Sequence, residues 1–295
     1  MHVLSTFRSV LSDAMDSLPG PLVSSSWLDQ HLGAPNLLVC DVRWYIDGKS
    51  GEAAFEAGHI PGAVWIDLDH DLAATKGLGP GRHPLPQPEH FAAAMAAKGI
   101  GDNTLVVAYD DAGGSIAARL WWMLTVIGHH AAVLDGGISA WTGELDIETA
   151  SSTADVVFTP VSWPLDRVAD VIAVDSARRN PAAVVLDARS NARFLGEANP
   201  IDRRPGHIPG AYSAPWTANL DPGSGLMRTV GELRRRFDMM GIDDQRSVIS
   251  HCGSGVTACH NLLALEVAGY APGRLYPGSW SDWEADPLRP VATGP

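Results

Sequence analysis

One hexapeptide occurs twice in this chain of 295 residues. Gly58-His59-Ile60-Pro61-Gly62-Ala63 returns as Gly206-His207-Ile208-Pro209-Gly210-Ala211, at an offset of 206 − 58 = 148 residues. The surroundings repeat with it. An apolar run ending in aspartate lies ahead of each copy, Leu37-Leu38-Val39-Cys40-Asp41 and Val184-Val185-Leu186-Asp187. After each copy a helical stretch closes on Gly99-Ile100 or Gly241-Ile242. A second apolar run then leads into a glycine-rich turn, Asp111-Ala112-Gly113-Gly114 or Cys252-Gly253-Ser254-Gly255. Self-similarity on this scale restricts the chain to two copies of one domain type. The expected organisation is a leader over 1–20, related domains over 21–145 and 168–290, and a linker over 146–167 carrying Pro160 and Pro164. Within each copy, short apolar strands alternate with helical patterns such as 91–97 and 230–237. That alternation predicts an α/β fold, each domain a mostly parallel sheet flanked by helices. Ligands of such sheets sit at the carboxyl ends of the strands.

The copies diverge where chemistry is expected. Cys252 ends an apolar strand, and a six-residue loop from Cys252 to Thr257 leads into a helical pattern. Gly253 and Gly255 permit positive φ and close approach. Successive N–H groups of such a loop converge on an anion, and the following helix adds its positive end. A thiol held there favours its thiolate, the nucleophilic form. In the lineup Asp111 stands opposite Cys252. A carboxylate is no sulfur nucleophile, so only the C-terminal copy is expected to react, with side chains from the other copy reaching a cleft between them.

The remaining candidates read as packing. His251 precedes Cys252 on the strand and points to the opposite face. Cys259 lies two helical turns on, and Cys40 ends a buried strand. His129-His130 lacks further metal-ligating partners nearby, and the ten tryptophans suit cores and the domain interface. A net charge of −13 argues against a nucleic-acid partner or an acidic membrane surface, so an anionic substrate has to be held by local arginines. Three cysteines do not make a disulfide framework, and a reducing, cytoplasmic setting is expected. No apolar run reaches transmembrane length. The first twenty residues lack the apolar core of a signal peptide, and Asp13 and Asp16 argue against a transit peptide. A loose leader or a short docking helix is expected there.

The doubled hexapeptide, Asp187-Ala188-Arg189-Ser190, Arg193-Phe194 and the Cys252–Thr257 loop together resemble the tandem-domain rhodanese-type sulfurtransferases, over roughly residues 20 to 290. The resemblance implies two rhodanese-like domains and a persulfide carried on Cys252. The loop is most similar to that of 3-mercaptopyruvate sulfurtransferases. Thiosulfate-preferring members usually carry arginine and lysine where this chain has Gly253 and Ser254. Thiosulfate is a dianion that two loop cations would neutralise. Mercaptopyruvate carries its carboxylate away from the sulfur and needs an arginine fork further off. The resemblance implies Arg193 for that fork, with Arg203 or Arg204 as a second. The backbone N–H groups of Gly253, Gly255, Val256 and Thr257 would stabilise the anionic sulfur. For proton handling the resemblance implies Ser254, His59 and an acid, either Asp47 or Glu52. His207 holds the place of His59 in the other domain, so a purely structural role for both is the competing reading.

The implied reaction is ping-pong transfer from 3-mercaptopyruvate, and more weakly thiosulfate, to a thiol, thioredoxin or cyanide, with no metal or organic cofactor. A thiosulfate-preferring enzyme and a persulfide carrier loaded by protein partners are the alternatives. A cysteine phosphatase would need a phosphate-clamping arginine where this chain has Ala258.

Overall fold

A computed structural model describes residues 17–148 and 155–295. The N-terminal half runs β1 (Leu22–Val23), α1 (Ser25–His31), β2 (Leu37–Asp41), α2 (Gly51–Ala57), β3 (Val64–Trp65), α3 (Pro88–Ala97), β4 (Leu105–Tyr109), α4 (Ala117–Thr125), β5 (Ala131–Leu134) and α5 (Gly137–Ala140). The C-terminal half runs α6 (Val171–Ala177), β6 (Ala183–Asp187), α7 (Asn191–Leu195), β7 (Tyr212–Ser213), a 3-10 turn (Trp216–Asn219), α8 (Val230–Asp238), β8 (Ser247–His251), α9 (Ala258–Val267), β9 (Arg274–Leu275) and α10 (Ser279–Trp283). Both sheets are parallel. Their orders are β1-β5-β4-β2-β3 and β7-β6-β8-β9, and a parallel bridge from Val168 to Leu275 stands where β1 pairs β5.

The continuous apolar character of the strands follows from burial on both faces. Along β4, Val106 and Ala108 face the core between the domains, whereas Val107 and Tyr109 face α1 and α2. Along β8, Val248 and Ile249 divide in the same way. α4 and α9 pack against each other, and their buried side chains merge the halves into one apolar core. The Cys252 loop therefore opens onto the seam between the domains. Gly99 and Gly241, at φ +84° and +76°, end the two equivalent helices α3 and α8 in the left-handed conformation that favours glycine.

The leader falls largely on residues 1–16, and part of the linker on 149–154, both outside the described residues. Residues 158–163 of the linker are bound to the first domain, and Leu165 and Arg167 to the second. Phe158 packs edge-on against Phe91, Thr159 donates twice to Asp102, and Trp163 Nε1 donates to the Pro86 carbonyl. Among the described residues no helix is long and apolar enough to cross a membrane.

The doubled hexapeptide is a structural device. His59 is fully buried, stacks on Phe55 and donates from Nδ1 to the Phe55 carbonyl at 2.8 Å. His207 does the same with Phe194, also at 2.8 Å. The glycine before each histidine gives its carbonyl to an arginine, Arg43 or Arg189, that is itself paired with Asp41 or Asp187. Each histidine backbone also bridges to the segment that closes its domain, at Asp146 or Ala292. His59 is thereby removed as a candidate proton carrier, because it lies against the outer face of its sheet, away from Cys252.

Candidate active site

Cys252 follows β8 directly, between β6 and β9. Its backbone is held from below. Its N–H donates to Ser279 Oγ at 3.0 Å, and its carbonyl accepts from the Trp280 N–H at 2.9 Å. Ser279 sits at φ +54°, the one non-glycine with positive φ among the described residues, a conformation that costs roughly 1–2 kcal/mol. Its hydroxyl bonds to both Cys252 and the Tyr276 carbonyl hold it there. Gly255, at φ +80°, has no room for a side chain, since a Cβ would lie 2.6 Å from the Pro277 carbonyl oxygen. That turn aims the Gly255 N–H at Cys252 Sγ, 3.1 Å away.

The N-terminal copy shows what such a loop is for. The register pairs Asp41 with Tyr109 as it pairs Asp187 with His251, so Asp110, rather than Asp111, stands at the place of Cys252. Asp111 lies one residue on and accepts from the Tyr45 hydroxyl. The Asp110 carboxylate is fully buried and accepts four loop N–H groups, from Ala112, Gly114, Ile116 and Ala117, at 2.7–2.9 Å. Burial pushes its pKa up, and the four bonds oppose the rise. The nest of the first domain is filled by its own carboxyl group; the nest of the second surrounds a thiol.

A cavity of about 360 Å³ opens above Cys252, with Trp44, Ile46, Ile116 and Ile201 as apolar walls. Two guanidinium groups close its far side. A Cβ on Gly253 would meet Arg82 Nη2 at 2.8 Å and Arg193 Nη2 at 2.9 Å, so a side chain there would push these two guanidinium groups aside. Arg193, carried by α7, is already committed on one edge. It donates to Asp202 from Nε at 2.8 Å and from Nη2 at 2.5 Å, and Asp202 also accepts from Arg189. These partners hold the Asp202 carboxyl below its usual range despite burial. Arg203 is exposed and takes no part in the cavity wall. Arg204 is spent on the carbonyls of Asp286 and Arg289. The second guanidinium comes instead from the first domain, as Arg82, whose backbone N–H rests on Ser281 of the second.

Groups able to carry a proton also come from an unforeseen place. His83 Nδ1 lies 2.8 Å from Ser254 Oγ, and its Nε2 lies 3.1 Å from Asp69 Oδ1. A neutral ring protonated on Nε2 donates to Asp69 and accepts from Ser254. The His83 bond, with Trp44 Nε1 assisting, holds Asp69 below the usual carboxylate range. Asp47 is exposed and paired with Lys49, and Glu52 is exposed in the first turn of α2; neither approaches Ser254. Arg82 and His83 lie between β3 and α3 in a glycine- and proline-rich segment; at the offset of 142 that pairs Gly99 with Gly241, Ser224 and Gly225 hold their places in the second copy. An adjacent Arg-His pair in such a segment was the available signal. A larger cavity of about 610 Å³ adjoins the far side of Arg82 and His83 and does not reach Cys252.

All three cysteines are free thiols. Cys40 and Cys259 are fully buried, and burial pushes the Cys259 thiol up to about 12 and Cys40 higher still. Iodoacetamide at mildly alkaline pH is therefore expected to modify Cys252 alone, read by intact mass and peptide mapping. Labelling of Cys259 at a comparable rate would contradict this assignment.

The family description "Rhodanese-like domain" matches residues 24–144 and 172–286. The chain is 40% identical to a probable 3-mercaptopyruvate sulfurtransferase of Pseudomonas aeruginosa, over 92% of this chain and 98% of that protein. It is 38% identical to the putative thiosulfate sulfurtransferase SseB of Mycobacterium tuberculosis, over 87% of this chain and 90% of that one. Among solved structures it is similar to the 3-mercaptopyruvate sulfotransferase SseA of Escherichia coli, with a TM-score of 0.79 and 32% identity over 89% of this chain and 99% of that chain.

Proposed function

The chain belongs to the rhodanese family, as two rhodanese-like domains in tandem, and on that premise we propose that it is a sulfurtransferase using 3-mercaptopyruvate as preferred donor and Cys252 as the sulfur carrier. The Cys252 thiolate attacks the donor sulfur. A sulfur–sulfur bond forms, the carbon–sulfur bond breaks, and its electron pair leaves on carbon as the enolate of pyruvate. The donor's own thiol proton reaches that carbon through Ser254 and His83, which leaves a persulfide on Cys252. An acceptor thiolate then takes the outer sulfur and restores Cys252. A small thiol, thioredoxin or cyanide suits this second step, and the cytoplasm suits a thiol that has to stay reduced.

One observation carries the choice of donor: the Ser254–His83 hydrogen bond made across the domain seam beside Cys252. A carbon leaving group needs a proton, whereas sulfite leaves thiosulfate without one. The relay is useful for the first and idle for the second. The competing reading, a thiosulfate-preferring enzyme, draws on the paired guanidiniums above Gly253, which would also hold a dianion. Comparing kcat/KM for the two donors, with cyanide as common acceptor, decides between them. Preference for thiosulfate would overturn the proposal.

Arg82 is the proposed clamp for the donor carboxylate, since Arg193 already binds Asp202. Arg82→Ala is expected to raise KM for mercaptopyruvate about 10–100-fold, the scale of a lost charged hydrogen bond of roughly 1.5–3 kcal/mol. The rise for thiosulfate, which has no carboxylate, is expected to be smaller. Equal increases in steady-state KM for both donors would argue against the clamp.

A further inference from the structure

Arg119, on α4 of the domain that carries no nucleophile, is fully buried and reaches into the other half. Its Nη1 donates to the Gly255 carbonyl at 3.0 Å; its Nη2 donates to the carbonyls of Leu72 at 3.2 Å and His83 at 3.3 Å. Gly255 is the residue whose N–H points at Cys252 Sγ, and His83 is the partner of Ser254. One guanidinium thus ties down both loops that meet at the reaction centre.

The repeat gives a control. Gly128 matches Gly269 at an offset of 141, and the same offset pairs Arg119 with His260 on α9. His260 makes the mirror contact, from Nε2 to the Gly113 carbonyl in the first domain's loop, at 3.1 Å. Burial lowers the His260 pKa to about 4, so it is neutral at physiological pH. The two domains therefore exchange equivalent hydrogen bonds, but only the one arriving at the Cys252 loop brings a charge.

That charge lacks a carboxylate partner among the described residues. The other charged and titratable groups around Cys252 include Arg82, Arg189, Arg193, His83, Cys259 and His251, whose pKa burial lowers. Arg189 and Arg193 are neutralised by Asp187 and Asp202. Arg82 faces the donor cavity. Cys259, whose thiol donates to the Gly255 carbonyl, stays protonated. A buried charge without a counter-charge costs several kcal/mol, and arginine does not shed its proton to escape that cost. Burial holds the Arg119 pKa below its ordinary value, and the neighbouring Cys259 and Cys252 oppose the fall without cancelling it.

We propose that Arg119 is the positioning residue through which the non-reacting domain serves the reaction: its buried guanidinium is the counter-charge for the anionic sulfur on Cys252 and anchors the loops carrying Cys252 and His83. This rests on Cys252 being the sulfur carrier. A fixed charge at that place stabilises the thiolate before attack and the persulfide anion after it, and no donor contact is involved.

The test compares Arg119→Gln and Arg119→Lys by the rate of Cys252 alkylation across pH, alongside kcat and KM. In Arg119→Gln the alkylation profile is expected to move to higher pH, slowing the reaction at neutral pH about tenfold. The kcat is expected to fall with it and the donor KM to stay, since Arg119 does not line the donor cavity. Arg119→Lys, which keeps the charge, is expected to keep the parental profile. A folded glutamine variant with the parental profile would overturn the proposal. If the glutamine variant does not fold, the lysine variant decides: an unshifted profile supports the counter-charge, and a shifted one overturns it. Alkylated parent enzyme that still transfers sulfur would instead remove Cys252 as carrier, a failure the same assay separates from that of Arg119.

Discussion

Replacing Cys252 with serine is expected to lower transfer from either donor by more than about a thousandfold while leaving the fold intact. The hydroxyl is not ionised at neutral pH, and an oxygen cannot carry a sulfane sulfur that a thiol would take. The fold is indifferent to the change. The bonds that hold position 252 run from its backbone to Ser279 and Trp280, and the Gly255 N–H retains an acceptor. Two measurements check it together. Donor-loaded parent should gain the mass of one sulfur atom on Cys252, with cyanide then released as thiocyanate; the variant should do neither, at an unchanged near-UV circular dichroism spectrum. Substantial thiocyanate production by the serine variant would end the assignment. Loading without turnover in the parent would point instead to a persulfide carrier.

The parts of this site that were legible in the sequence are those that repetition or a local turn encodes. Cys252, Gly253 and Gly255 are contiguous, and the conformations of the two glycines follow from a tight strand-to-helix loop. What repetition could not encode is where the copies differ. His59 entered through the family resemblance, yet it sits in the doubled hexapeptide, and doubling marks a part both domains need for folding: His59 stacks on Phe55 and His207 on Phe194. His83 and Arg82, residues the second copy does not repeat, meet the Cys252 loop only after the domains pack along α4 and α9. The same blindness affects Arg203. The resemblance placed a second arginine at Arg203 or Arg204, but the chain sets Asp202 against Arg193 and draws the second cation from the other domain. Alignment of glycines also misplaced the counterpart of Cys252 by one residue, because the first loop, from Asp110 to α4, is one residue longer than that from Cys252 to α9.

His83→Gln is expected to lower kcat for 3-mercaptopyruvate by about 10²–10⁴-fold, the range of a lost proton carrier, with little change in KM. Glutamine keeps a hydrogen-bonding group near Ser254 but cannot accept and return a proton. The backbone carbonyl of residue 83 still accepts from Arg119, so the loop stays placed. Thiosulfate turnover should change by no more than about threefold, because sulfite departs as an anion and requires no proton. The contrast between donors separates chemistry from positioning. If both donors lose activity equally, His83 serves to hold Ser254 and the Cys252 loop in place. If neither does, the leaving enolate takes its proton from water and the relay across the domain seam is not used. Asp69→Asn should follow His83→Gln in direction and fall short of it in size. It replaces the carboxylate that accepts the Nε2 proton by a neutral amide with one acceptor oxygen for His83 and Trp44 to share, which weakens the preference for the tautomer that faces Ser254 while leaving the imidazole itself in place.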